Sequence, residues 1–204
     1  MARVGILGGT FNPPHAGHVA LARAAADALG LDGVLWMPVA QQPLKTIAGD
    51  PGADVRLELT RLAAREDPRF QASDLEVRRG GPSYAVDTLR ALHEAHPEDE
   101  LTFIAGADAA LGLPDWREPA EVLELARVAV AGREGSSGQD VRSAVRSVAG
   151  AQDRVEFFDM PPVPVSSTRV RAAVAAGQAL DGLVPPAVAE AIAERGLYRE
   201  AVSA

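Results

Sequence analysis

Short apolar runs alternate with longer segments of helical spacing along the 204-residue chain. Runs of branched apolar residues are typical of buried strands, and segments opened by Asp, Ser or Pro and closed by Gly are typical of helices. The predicted strands are Arg3–Leu7, Gly33–Val39, Phe70–Val77, Leu101–Ala105, Arg127–Ala131 and Val155–Phe157. The predicted helices are Gly17–Leu29, Asp54–Glu66, Ser83–His96, Pro119–Leu125, Gln139–Ala149, Ser167–Ala176 and Pro185–Arg195. This order predicts an α/β fold with right-handed crossovers and a mostly parallel sheet flanked by helices.

The chain is expected to form a single domain over residues 1–204, with a helical C-terminal portion over residues 166–204. Parallel sheets of this kind bind ligands outside the carboxyl ends of their strands. Two stretches, Gln41–Ala53 and Gly132–Gly138, are predicted to be exposed loops. Loops of this length in an α/β domain favour a substrate-binding role, with disorder as the alternative.

The clearest candidate for ligand binding follows the first predicted strand. Two glycines let backbone N–H groups approach an anion, and the N-terminus of the following helix adds partial positive charge. The spacing is not GxGxxG, and no Walker lysine motif occurs, so the loop predicts a phosphate site of another type. The segment reads Gly8-Gly9-Thr10-Phe11-Asn12-Pro13-Pro14-His15-Ala16-Gly17-His18.

His15 and His18 are three residues apart across the start of that helix. Both rings are therefore predicted to face one point, where they could hold a phosphate together. A zinc site is disfavoured, because no Cys or neighbouring carboxylate completes a ligand set. The alternative interpretation is structural, with His15 capping the helix and His18 packing in the core.

A second candidate anion site lies near the C-terminus, where Ser166, Ser167 and Thr168 begin a predicted helix that also carries Arg169 and Arg171. Hydroxyls, helix N–H groups and arginines suit a phosphate. Taken alone, the same residues are equally typical of an ordinary helix N-cap.

The two motifs together carry a family resemblance. The first loop resembles the G(G/S)(T/S)F(D/N)PxHxGH signature of the nucleotidyltransferase superfamily, and the segment ending at Arg171 resembles its (I/V)SSTxxR signature. The middle of the chain is similar to the bacterial nicotinate-mononucleotide adenylyltransferases in particular, and the resemblance spans nearly the whole chain. Four segments carry this similarity. Arg79–Leu89 resembles the family pattern RxGPSYTxDTL, Ile104–Asp108 resembles IxGxD, and Leu113–Trp116 resembles LPxW. The ending Leu183–Tyr198 also matches the family.

The resemblance implies a Rossmann-like, doubly wound sheet and transfer of AMP from ATP to nicotinate mononucleotide, giving nicotinate adenine dinucleotide and pyrophosphate. Catalytic roles are implied for His15, His18, Lys45 and Arg171. Mg²⁺ is expected to arrive on ATP, with no metal held by the protein alone. The residues expected to bind ATP are Gly8, Gly9, Thr10, Phe11, Gly106, Asp108, Arg133, Ser166, Ser167 and Thr168.

The mononucleotide is expected to contact Tyr84, Thr88 and Trp116, since an indole can stack on a pyridine ring and the hydroxyls can hydrogen-bond. Each of these roles has a structural alternative. Trp116 could belong to the core, Asp108 could only cap a helix, and Thr88 could face solvent. Lys45 could be an ordinary solvated side chain.

The sequence departs from the family at three places. Ala85 stands where the family usually has Thr, Arg117 where it often has an aromatic residue, and Glu134 where it has Pro after Arg133. Without the Thr hydroxyl, backbone N–H groups would have to recognise the acid. Nicotinamide mononucleotide, or another phosphorylated acceptor such as phosphopantetheine, is therefore the alternative substrate. A non-enzymatic nucleotide-binding module and a dehydrogenase are weaker alternatives.

The net charge and the Cys content limit the binding partners and the chemistry expected of the chain. A formal net charge of -8 argues against broad binding to nucleic acid or an acidic membrane. The chain has no Cys, which excludes disulfides and thiolate catalysis and fits a cytoplasmic protein. An Ala-rich apolar face could pack against the core or against a second copy of the chain, so a homo-oligomer is an alternative to a monomer.

Overall fold

The computed structural model describes residues 1–42, 49–132, 136–148 and 153–199. Its strands are β1 (Arg3–Gly9), β2 (Gly33–Pro38), β3 (Phe70–Ala72), β4 (Glu100–Gly106), β5 (Arg127–Ala131) and β6 (Val155–Phe158). Its helices are α1 (Ala16–Leu29), α2 (Ala53–Ala64), α3 (Leu75–Arg79), α4 (Ala85–Ala95), α5 (Ala107–Leu111), α6 (Pro119–Leu125), α7 (Ser136–Arg146), α8 (Ser167–Ala175) and α9 (Pro186–Arg195), with a 3-10 turn at Leu113–Asp115.

The six strands form one sheet in the order β3-β2-β1-β4-β5-β6, and every neighbouring pair is parallel. This is the Rossmann-like, doubly wound arrangement, so the predicted fold class is confirmed. The strand order reverses between β1 and β4, which opens a crevice at the carboxyl ends of these two strands. The loop after β1 therefore begins where this fold binds ligands.

Alternating side chains of the strands build a core on each face of the sheet. Leu7 and Trp36 belong to the core on the side of α1, α8 and α9, whereas the adjacent Ile6 and Met37 belong to the core on the side of α4, α6 and α7. Side chains alternate between faces along a strand, so a strand covered on both faces reads as a continuous apolar run. This explains why β1 and β2 could be recognised from sequence.

The predicted strand Phe70–Val77 is wrong beyond residue 72. Ser73 donates its N–H to the Trp36 carbonyl at 2.9 Å, and the chain then turns into α3. The alternation of Leu75, Glu76 and Val77 resembles a half-buried strand, but here the polar member, Glu76, is the buried one. The burial of this segment therefore does not follow its apolar pattern, which is why the strand prediction failed here.

Other boundaries shift by a few residues. α4 begins at Ala85 rather than Ser83, and α7 covers Ser136–Arg146 rather than Gln139–Ala149. Helix α5 was not predicted. In the two predicted loops, residues 43–48 and 133–135 lie outside the described part of the chain. None of the helices described is both long and apolar enough to cross a membrane.

Candidate active site

The loop after β1 folds back over its own strand. Phe11 has a positive φ of 49° and a buried ring, which packs 4.9 Å from the His18 ring and 5.4 Å from the Trp36 ring, centroid to centroid. A Cβ on Gly9 would lie 3.0 Å from the Phe11 ring, so this close return needs glycine. The Phe11 ring thus supports the loop from the core.

The two histidines meet at the N-terminus of α1. His15 occupies the N-cap position, and its ring stacks on the His18 ring at 3.7 Å between centroids. The His15 backbone N–H donates to His18 Nδ1 at 3.1 Å. Since Nδ1 accepts, the proton of neutral His18 lies on Nε2, which becomes a hydrogen-bond donor. His15 thus stands at the helix cap, and a ligand role for the pair stays a prediction.

Burial keeps both imidazoles neutral. It lowers the pKa of His15 from 6.5 to about 4, and it lowers the pKa of His18 well below 6.5, with a smaller contribution from the adjacent His15. At neutral pH the pair thus presents N–H donors without positive charge. His15 Nδ1 is buried and has no hydrogen-bond partner among the described residues.

Gly17 explains how the rings fit against the helix. A Cβ at this position would lie 3.0 Å from His15 Nδ1 and 3.3 Å from Val165 Cγ1. Both contacts are tighter than side chains usually tolerate. Gly17 therefore lets His15 and the segment before α8 close on the start of α1.

Side chains of helix α8 donate hydrogen bonds to backbone carbonyls of the first loop. Ser167 donates its hydroxyl to the Pro13 carbonyl at 2.8 Å, and Arg171 donates Nη1 to the Asn12 carbonyl at 2.7 Å. Ser166 caps the helix by accepting from the Arg169 N–H at 3.2 Å. The two sequence motifs, 154 residues apart at the Ser167 contact, thus meet at one place. The Thr168 side chain is exposed beside them.

Arg56 on α2 is a residue that the sequence did not single out. Its side chain is fully buried and ties the first loop to the end of β2. Nη1 donates to the Thr10 carbonyl at 3.0 Å and to the Val39 carbonyl at 2.7 Å, Nη2 donates to the Ala40 carbonyl at 3.1 Å, and Nε donates to Asp50 Oδ1 at 2.9 Å. A helical arginine looks like a surface residue in sequence, so only the fold reveals this role.

Tyr198 fixes the loop from the other side. Its hydroxyl donates to Asn12 Oδ1 at 2.8 Å. Burial is the main cause that raises the pKa of Tyr198 above 10, so the hydroxyl keeps its proton and remains a donor at neutral pH. The sequence indicated this tyrosine only as part of the family-like ending.

A pocket of about 290 Å³ opens beside the first loop. Gly8 and Gly9 form part of its wall, and Tyr84, Trp116 and Arg117 line it as well. The Trp116 ring is partly exposed and packs edge to face against Phe103, at 5.2 Å between centroids. Trp116 therefore both packs against the core and lines the pocket.

Thr88 lies beneath this pocket rather than at the solvent surface. It is buried, donates its hydroxyl to Glu76 Oε1 at 2.6 Å and accepts from Arg79 Nη2 at 3.2 Å. Glu76, which does line the pocket, is a second residue missed from sequence. Burial raises the pKa of Glu76, and its Oε2 has no partner among the described residues.

The remaining predicted residues lie at the same edge of the sheet or outside the described chain. Gly106 ends β4 and is the N-cap of α5, and Asp108 is exposed in the first turn of that helix. Lys45 and Arg133 fall outside the described residues. Within the described ranges, no group of three or more His, Asp or Glu side chains is placed to hold a metal ion.

The fold and this edge define a nucleotide-binding α/β enzyme of the nucleotidyltransferase type. A family model described as Cytidylyltransferase-like matches residues 6–173, and the chain belongs to that family. Among its relatives, one from Gloeobacter violaceus named a probable nicotinate-nucleotide adenylyltransferase is 43% identical and aligns over 96% of each chain. A relative of the same name from a Synechococcus strain is 41% identical over 96% of this chain and 94% of its own.

Solved structures share the fold. The nicotinic acid mononucleotide adenylyltransferase of Plasmodium falciparum, in complex with NaAD, superposes with a TM-score of 0.78 over 100% of both chains at 14% identity. The same enzyme in complex with APC gives a TM-score of 0.77 at 14% identity, again over 100% of both chains. At this level of identity the likeness establishes the fold alone.

Proposed function

We propose that the chain is a nicotinate-nucleotide adenylyltransferase, which transfers AMP from ATP to nicotinate mononucleotide and releases pyrophosphate in NAD biosynthesis. One observation carries the proposal. Gly8 and Gly9 end β1, directly before the loop that leads to the histidine pair, and they also line the pocket with Trp116. A mononucleotide whose ring lies in the pocket would therefore extend its phosphate towards the histidines.

The reaction needs no nucleophilic side chain. A phosphate oxygen of the mononucleotide attacks the α-phosphorus of ATP, and the bond from that phosphorus to the pyrophosphate oxygen breaks. The attacking phosphate is already largely ionised at neutral pH, because its second pKa is about 6. The protein has to align the two phosphates and stabilise charge.

We assign that stabilisation to hydrogen-bond donors at the start of α1. His18 is proposed to donate Nε2–H to the α-phosphate as negative charge grows there, with His15 beside it. Neutral donors held by burial need no rearrangement when the charge appears, which is the condition for effective electrostatic stabilisation.

The leaving pyrophosphate is assigned to the start of α8. Ser166, Ser167 and Thr168 form the first turn, and Arg171 lies one turn further along. Lys45 is proposed to reach the same phosphates from the loop after β2.

Gly106, Asp108 and Arg133 are proposed to contact the adenosine moiety. Mg²⁺ is proposed to enter on ATP, since magnesium is often held through substrate phosphates and water.

Acceptor binding is assigned to the pocket. Trp116 is proposed to stack on the pyridine ring, with Tyr84 and the first N–H groups of α4 beside it. The described structure shows no side-chain cap on that helix. Thr88 is proposed to act indirectly, because its hydroxyl is held by Glu76. A cytoplasmic location and a homo-oligomer remain predictions.

The direct test is pyrophosphate release with ATP and Mg²⁺, with nicotinate mononucleotide and nicotinamide mononucleotide offered in parallel at equal concentrations. Release with a strong preference for the acid is the expected result. Preference for the amide would reassign the acceptor while retaining the chemistry. Absence of release with either would contradict the proposal and direct the search to phosphopantetheine and other phosphorylated acceptors.

A further inference from the structure

The acceptor pocket contains a cation in addition to its aromatic walls. Of the described residues that line it, Arg117 alone carries a permanent positive charge. The other ionisable groups of the lining that matter at neutral pH are carboxyl groups, Glu76 and Asp115. Among the described residues, Arg117 is therefore the cation of the lining that a pyridine carboxylate in this pocket could meet.

The Arg117 side chain lines the pocket beside Trp116 and Tyr84. It follows Trp116 in the chain, and its guanidinium carbon lies 4.9 Å from the centre of the Tyr84 ring. The side chain thus crosses from the Trp116 segment to the Tyr84 segment. A ring stacked on Trp116 would lie in the same pocket as this guanidinium.

The contacts of Arg117 with protein carboxylates leave it able to bind a ligand. Nη1 lies 3.5 Å from Asp87 Oδ2, and Nε lies 3.3 Å from Glu118 Oε1. Both distances exceed the roughly 2.8 Å of a tight charge-assisted hydrogen bond. Arg90 also contacts Asp87, at 3.3 Å, and pairs with Glu118, so it shares in neutralising these two carboxylates.

We propose that Arg117 is a specificity-determining residue that pairs with the ring carboxylate of the acceptor and so selects a pyridine acid over the corresponding amide. The inference rests on the proposed function, because it assigns one part of the same pocket. A guanidinium attracts a carboxylate by charge and by paired N–H donors, whereas a carboxamide offers a neutral oxygen and two competing N–H groups. Arg117 thereby supplies recognition that the methyl group of Ala85 cannot.

The experiment compares kcat/KM for nicotinate mononucleotide and nicotinamide mononucleotide in the wild type and in Arg117→Gln, Arg117→Lys and Arg78→Gln. Arg117→Gln is expected to lower the acid-to-amide ratio by about tenfold or more, the usual size of one charged hydrogen bond. The loss should lie mainly in KM for the acid, because the carboxylate is remote from the reacting phosphate. Arg117→Lys should retain part of the ratio, since it keeps charge without the planar fork.

Arg78→Gln is the matched control. It removes the same charge from a side chain that is 78% exposed on α3 and absent from the pocket lining, so the ratio should stay at the wild-type value. A wild-type ratio that falls with added salt would further support a partly exposed cation as the selector.

The outcomes separate this inference from the proposed function. An active wild type whose acid-to-amide ratio is unchanged in Arg117→Gln would overturn the role of Arg117 alone. A wild type inactive with both mononucleotides would overturn the proposed function and this assignment with it.

Discussion

The phosphate edge and the acceptor pocket are adjacent but are built differently. At the phosphate edge, which comprises the first loop, the start of α1 and the start of α8, positions are fixed by backbone carbonyls bonded to Arg56, Ser167 and Arg171. In the pocket, the charged residue Arg117 is 50% exposed and held by ion pairs longer than 3 Å. The phosphate edge is held by hydrogen bonds to backbone carbonyls, whereas the charged side chain of the pocket is half exposed.

This difference separates reaction chemistry from substrate choice. Stabilising a reacting phosphate requires donors that do not move, which burial and backbone bonding provide. Choosing between an acid and an amide requires only one side chain at the rim. Substitutions in the pocket are therefore expected to alter the choice of acceptor, whereas substitutions at the phosphate edge are expected to disturb the first loop.

The largest effect is expected from Arg56. Replacing it in Arg56→Leu leaves three carbonyls and Asp50 without their shared donor, which should lower the free energy of unfolding by about 4 kcal/mol. Urea denaturation measures this loss. The control is Arg61→Leu on the same helix, where the side chain is 55% exposed and the expected change is below about 0.5 kcal/mol. A small loss in Arg56→Leu would show that the phosphate edge is not held as described.

The second prediction concerns pH. Unfolded His15 takes up its proton near 6.5, but in the folded chain burial lowers its pKa to about 4. Between these values the unfolded state binds more protons, so stability falls as pH drops, by on the order of 3 kcal/mol for this group. His15→Gln should remove this part of the pH dependence of the unfolding free energy. The same slope in wild type and variant would contradict a buried neutral His15.

The third prediction concerns turnover. His18→Ala removes the donor proposed for the transferring phosphate and should lower kcat by about 100-fold, the usual cost of such a loss. His93→Ala, which changes an exposed histidine on α4, should leave kcat unchanged. Both variants should keep the wild-type circular dichroism spectrum. A folded His18→Ala with normal turnover would refute the assignment.

The smallest effect is expected from Tyr198. Tyr198→Phe removes one hydrogen bond to Asn12 Oδ1 and should lower the free energy of unfolding by about 1 kcal/mol. Thermal denaturation detects a change of that size. No change would show that the C-terminal segment does not fix the first loop.

The sequence predicted the loop after β1 and the start of α8 because their chemistry is local: glycines, histidines and hydroxyls follow one another in short segments. It could not predict that Arg56 is buried, because the three carbonyls that it satisfies lie on segments far from α2 in sequence. Thr88 was predicted to contact substrate, but its hydroxyl is held by Glu76 across 12 positions. The extent of the domain and the ligand contacts of the individual residues remain predictions.

The central claim is that the histidine pair acts as neutral donors, with the proton of His18 on Nε2. ¹⁵N NMR of the ring nitrogens of His18 at pH 7 tests it most directly, with the resonances identified by their loss in His18→Ala. We predict a neutral ring with a protonated Nε2 and an unprotonated Nδ1, unchanged down to pH 6. An imidazolium signal at pH 7, or a proton on Nδ1, would contradict it.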